Sequence, residues 1–134
     1  MAHLLKKWTT KARGDQAEDL ALQYLQSKGL KLLARQVKTP GRGGGELDLI
    51  MQERDGTVVF VEVRMRRSTS HGGAWASVDA HKQRRLIWAA RHYLSAWPQW
   101  PPCRFDVVGV TPGAGAQAPP QLQWLQGAFW LAST

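Results

Sequence analysis

Cysteine is almost absent from this sequence: Cys103 is the single one in 134 residues. One thiol excludes an internal disulfide and any multi-cysteine zinc site, and a reduced, cytoplasmic setting is the expectation. Long apolar runs are missing too, and none approaches the roughly 20 residues of a membrane-spanning helix. Met1 to Arg13 lacks the apolar stretch and small-residue cleavage site of a secretory signal, so no membrane association or export is expected. Acids are scarce, ten Asp and Glu against eighteen Lys and Arg, for a net charge of +8. With 43% hydrophobic and 21% charged residues, wholesale disorder is excluded and one globular domain is expected.

The positive charge is unevenly placed. Lys6, Lys7, Lys11 and Arg13 precede any acid, and between residues 63 and 105 Asp79 stands alone among eight basic residues. Such a field attracts polyanions and makes binding salt-sensitive. Eleven of the eighteen cations are Arg, the better fork for phosphate. Nucleic acid is therefore the leading partner, set against a merely solubilising surface.

Residues 1–12 read as a flexible basic lead and 13–134 as a single domain. Ala17, Leu20, Ala21, Tyr24 and Leu25 recur at helical spacing within a helix from Lys11 to Lys28, which Gly29 stops. Residues 30–38 predict a strand, and Pro40 to Gly45, with four glycines, a break. Glu46–Glu53 and Thr57–Arg66 predict a hairpin, and Val58 to Val63 reads as a central strand covered on both faces. A second helix is expected from Val78 to Ala96, with Leu86, Ile87, Ala90, Tyr93 and Leu94 as its buried stripe. Strands at Phe105–Val110 and near Gln121–Gln126 complete the order α-β-β-β-α-β-β, a mixed sheet flanked by helices in an α/β fold.

Three acids fall where apolar residues belong: Glu18 beside the buried stripe of the first helix, Asp48 amid Leu47, Leu49 and Ile50, and Glu62 in the central strand. Buried carboxylates are costly unless paired, hydrogen-bonded or bound to metal. Register decides whether two of them meet. A two-residue turn at Asp55-Gly56 would separate Asp48 and Glu62 onto opposite faces. A three-residue loop, Arg54-Asp55-Gly56, sets them side by side and needs a left-handed third residue, which Gly56 supplies. The three-residue loop is the expectation. The resulting carboxylate pair is repulsive unless a cation intervenes, and Mg²⁺ or Mn²⁺ suits oxygen ligands. The competing reading pairs Glu62 with Arg64 or Arg66 and leaves Asp48 solvated.

Gln83 lies on the buried stripe of the second helix, either reaching the acids or marking the helix start. Lys82, Arg84 and Arg85 form a basic face available to phosphate. Gly41, Gly43, Gly44 and Gly45 either admit a nucleic-acid backbone or shape a turn. Of the seven tryptophans, most are read as core.

These residues also resemble a known family. Gly14-Asp15-Gln16-Ala17-Glu18, Gly45-Glu46-Leu47-Asp48-Leu49-Ile50 and Val59-Phe60-Val61-Glu62-Val63-Arg64-Met65-Arg66 occur in order. Lys82-Gln83-Arg84-Arg85-Leu86, Arg104-Phe105-Asp106-Val107-Val108 and Ala128-Phe129 follow. The series resembles the YraN-like family of bacterial proteins and is similar to the restriction-endonuclease-like, PD-(D/E)xK superfamily, near Holliday-junction resolvases. The resemblance implies that fold and a Mg²⁺- or Mn²⁺-dependent endonuclease acting on DNA, with branched or flapped structures among the candidates. It implies Asp48 and Glu62 as metal ligands with the Val63 carbonyl, and Glu18 as the acid holding a metal-bound water. Arg64 stands where the superfamily has lysine, and Gln83 completes the site. Arg42, Arg66, Arg67, Lys82, Arg84 and Arg85 are the expected nucleic-acid contacts. Arginine stabilises phosphate charge but stays protonated, so Arg64 cannot serve as a base. A module of the same fold that binds DNA or RNA without cutting is the alternative. A junction-cutting enzyme needs two symmetric sites, so a homodimer is expected.

Overall fold

The computed structural model describes residues 10–41, 44–65, 78–113 and 118–129, with side chains from residue 14 onward. Helix α1 (Thr10–Ser27) leads to strands β1 (Lys31–Lys38), β2 (Glu46–Gln52) and β3 (Val58–Met65). Helix α2 (Ala80–Leu94) then precedes β4 (Cys103–Thr111) and β5 (Gln121–Phe129). The five strands lie in sequence order in one sheet. Only β3 and β4, which α2 connects, run parallel; the other neighbours are antiparallel. The mixed α/β fold and the order α-β-β-β-α-β-β are those read from the sequence. Residues 1–9, most of the expected basic lead, lie outside the described residues.

Alternation along the strands builds two cores. Ile50, Val58, Phe60, Phe105 and Val107 face α2 and pack on Leu86, Ala89, Ala90 and Leu94. Leu49, Met51, Val59, Val61, Val108 and Val110 face α1 and pack on Ala17, Ala21 and Leu25. Covered on both sides, β3 is buried from Val58 to Glu62. Asp79 caps α2 by accepting the Lys82 N–H at 2.8 Å, satisfying one of the helix's free donors.

The hairpin register is the one the three-residue loop requires. Gln52 pairs with Val58 and Leu49 with Val61. Gly56 has φ 97, and its N–H donates to the Glu53 carbonyl at 3.0 Å. One further step along that register sets Asp48 opposite Glu62.

β5 runs three residues beyond the expected Gln126. Gly127 adopts φ 62 at an irregularity opposite Asp106, and its N–H donates to the Asp106 carboxylate at 2.9 Å. Past this bulge Phe129 pairs with Phe105, and the two rings stack at 4.5 Å.

Candidate functional site

The ladder between β2 and β3 stops at Leu49 and Val61. There the Asp48 carboxylate replaces a main-chain acceptor, taking the Val63 N–H at Oδ2, 2.9 Å away. On β1, Gln36 carries φ 53, a left-handed conformation costly for a residue with a Cβ. Opposite this kink strict alternation fails: Leu47 joins the α2-side core although Leu49 faces α1. Asp48 thereby opens into a cleft of about 320 Å³ on the α1 side, shared with Glu18, Gln36, Lys38 and Val63.

Asp48 and Glu18 line this cleft together, and Glu62 acts on Asp48 from beside it. Burial, followed by the charge of Glu62 and a hydrogen bond with it, pushes Asp48 up to about 8; Glu18 adds a smaller push. Asp48 therefore holds its proton well above the ordinary carboxylate range. Burial also raises Glu18 above the ordinary carboxylate range, against the opposing pull of Arg35 at 3.2 Å. Arg35 bridges Glu18 and Asp19, while Gln36 donates to Asp15 at 3.2 Å, tying β1 to α1.

Glu62, buried to 5% exposure, carries two cations on Oε2: Arg64 at 2.9 Å and Lys82 at 3.4 Å. Arg64 Nε is buried without a hydrogen-bond partner. The pairing of Glu62 with Arg64 is thus present, yet Asp48 is not a solvated bystander, because it shares Glu62's environment.

The expected residues distribute as follows. Glu18, Asp48, Glu62, Val63 and Arg64 gather at one end of the sheet, where Val63 contributes the N–H that holds Asp48. Gln83 turns its amide to the Val78 carbonyl at 3.1 Å, and Lys82, one residue earlier, is the α2 side chain that reaches Glu62. Arg84 and Arg85 are exposed, and Arg85 donates to the Gly44 carbonyl at 3.3 Å. Arg42, Arg66 and Arg67 lie outside the described residues. The glycine break has a packing role: a Cβ at Gly45 would stand 3.1 Å from the Arg85 carbonyl, so Gly45 lets β2 approach α2.

Among the described residues no three His, Cys, Asp or Glu side chains form a metal cage. Two adjoining carboxylates, one raised first by burial and then by the charge of the other, are nonetheless a donor set that one cation would relieve. Mg²⁺ commonly takes one or two carboxylates and completes its shell with water and phosphate oxygens. The residues fit such an ion.

A larger cleft, about 460 Å³, lies at the opposite sheet end between Gln26–Leu30 and Glu53–Asp55. Its acids are otherwise engaged: Glu53 pairs with Arg104, and Asp55 accepts the Thr57 N–H at 2.9 Å.

Sequence reasoning missed Asp106, which is fully buried and accepts from Arg104, the Trp124 indole and Gly127. Its saturated partners make it a structural tie. The signal was another acid inside an apolar strand. Trp88, beside the buried stripe of α2, is 57% exposed; Trp97 and Trp124 do pack against the cores.

An α/β domain with an acid pair at one sheet end is the class of protein this geometry defines. The model of the uncharacterised protein family UPF0102 matches residues 17–110, spanning Glu18, Asp48, Glu62, Arg64 and Lys82. A UPF0102 protein of Paracidovorax citrulli is 59% identical over 124 residues, covering 92% of this chain and 87% of the relative. One of Albidiferax ferrireducens is 58% identical, covering 90% and 89%, and one of Polaromonas naphthalenivorans is 55% identical, covering 96% and 85%. The chain belongs to the UPF0102 family, the YraN-like family that the ordered motifs resemble. Among the described residues, no helix is long and apolar enough to cross a membrane.

Proposed function

We propose that this chain is a metal-dependent nucleic-acid-processing protein that hydrolyses phosphodiesters in DNA. The observation carrying the reading is the nearness of two carboxylates at one sheet end, where burial and then the charge of Glu62 push Asp48 up to about 8. Asp48 and Glu62 would hold Mg²⁺ or Mn²⁺, whose Lewis acidity polarises a phosphoryl oxygen and acidifies water. Glu18, in the same cleft, orients a water by accepting its hydrogen bond.

Arg64 and Lys82 supply the positive charge. Arg64 binds phosphate oxygens through its planar fork and stabilises charge developing on them, without accepting a proton. Lys82 brings an ammonium to the same carboxylate from α2. It offers the lysine chemistry that the strand position lacks, and this supports an active site despite Arg64.

Cleavage of labelled duplex, single-stranded, flapped and four-way DNAs in Mg²⁺, Mn²⁺ or EDTA tests the proposal. Cutting that needs metal and disappears in Asp48→Asn is expected. Tight binding without cutting by any metal would favour a silent DNA- or RNA-binding module. Arg64 and Lys82 occupying Glu62 is the observation on the side of that second reading.

A further inference from the structure

Helix α2 carries Lys82, Arg84, Arg85 and Arg91 and no acid. Lys82 sits in the first turn, where the helix dipole favours acids, so helix stability does not account for it or for the cations just beyond. Its buried side is Leu86, Ala89, Ala90 and Leu94. On the opposite side His81, Arg84, Arg85, Trp88 and His92 are all exposed. At 100° per residue, Trp88 falls near the centre of that outer face, with Arg84 and Arg85 one turn before it. The exposed indole thus stands among cations on one helix face.

We propose that the outer face of α2 binds a single-stranded segment of nucleic acid, with Trp88 stacking on a base and Arg84 and Arg85 meeting phosphates. Charge complementarity selects the occupant, because a polyanion with open π-faces satisfies both kinds of side chain. Lys82, which reaches Glu62, lies six residues before Trp88, about 9 Å along the axis and turned about 120° from it toward the sheet, so this outer face is a surface separate from the acid cleft. This deepens the nucleic-acid reading above and is independent of cleavage.

The test is fluorescence anisotropy with labelled oligo-dT and a matched duplex, in EDTA, on the full chain. Trp88→Ala is expected to weaken oligo-dT binding roughly ten-fold and duplex binding far less, with Trp88→Phe restoring most of the loss. Arg84→Ala is expected to lower the slope of log affinity against log salt by about 0.7. Unchanged circular dichroism secures the fold of each variant, since these side chains are exposed. Equal affinity in Trp88→Ala, or equal losses on both DNAs, overturns the stacking. So does sedimentation showing that Trp88→Asp splits a dimer without altering DNA affinity, because a second copy then covers the face. Failure of the wild type to bind any nucleic acid defeats the functional reading as well; binding without cutting defeats only the hydrolysis.

Discussion

The carboxylates of Asp48 and Glu62 share one environment at the end of the β2–β3 ladder, a step beyond its last main-chain pair, Leu49 and Val61. Burial and the neighbouring charge lift Asp48 from an ordinary 3.8 to about 8. The folded chain therefore binds that proton more tightly than the unfolded chain does. Linkage then makes stability fall as pH rises from about 4 to about 8 and level off above.

That sign gives a first prediction. In EDTA, Asp48→Asn removes the titration while keeping an oxygen for the Val63 N–H. The variant should match wild type near pH 4 and exceed it at pH 8 by several kcal/mol. Urea unfolding across this range measures the difference. Parallel profiles at all pH values would place Asp48 in an ordinary, ionised state.

A second prediction concerns the two cations on Glu62. Arg64→Lys restores a side chain able to exchange a proton and should raise metal-dependent cleavage about ten-fold, while Lys82→Met should lower it at least as much. An Arg64→Lys protein that binds metal and DNA yet remains inert would argue against hydrolysis by this site.

Asp106 supplies a control on the neighbouring strand, where it pairs with Val61 rather than with either acid. Its carboxylate joins Arg104, Trp124 and Gly127, so Asp106→Ala leaves the buried Arg104 with Glu53 alone, orphans two further donors and costs about 3–5 kcal/mol. Thermal unfolding reads this loss, and metal affinity of the surviving folded protein should not change. A loss below about 1 kcal/mol would mean that Arg104 finds water or Glu53 sufficient.

Much of this was legible in the sequence because the signals were local. Period-2 and period-3.6 patterns located both helices and all five strands, and Gly56 set the hairpin register that brings Asp48 to Glu62. What was hidden depends on tertiary placement. Whether Lys82 or Gln83 turns toward the acids follows from how α2 docks on the sheet, and Gln83 is drawn to the Val78 carbonyl. The close approach of Gly45 to Arg85 is likewise set by strand and helix together. Gln36, in a left-handed conformation, carries no residue-type signal of its kink, yet alternation fails in the strand opposite it. Trp88 lies outside the stripe of α2, and only its exposure separates a core residue from a surface one.

On the proposed function, Asp48 and Glu62 together would hold a divalent cation. Titration of Mn²⁺ into the metal-free protein, followed by electron paramagnetic resonance, tests it without requiring a substrate. One site is expected in the wild type, lost in both Asp48→Asn and Glu62→Gln and retained in Trp88→Ala. Mn²⁺ binding that survives both carboxylate substitutions, or none in the wild type at millimolar metal, would contradict it and leave the acid pair a structural feature of the fold.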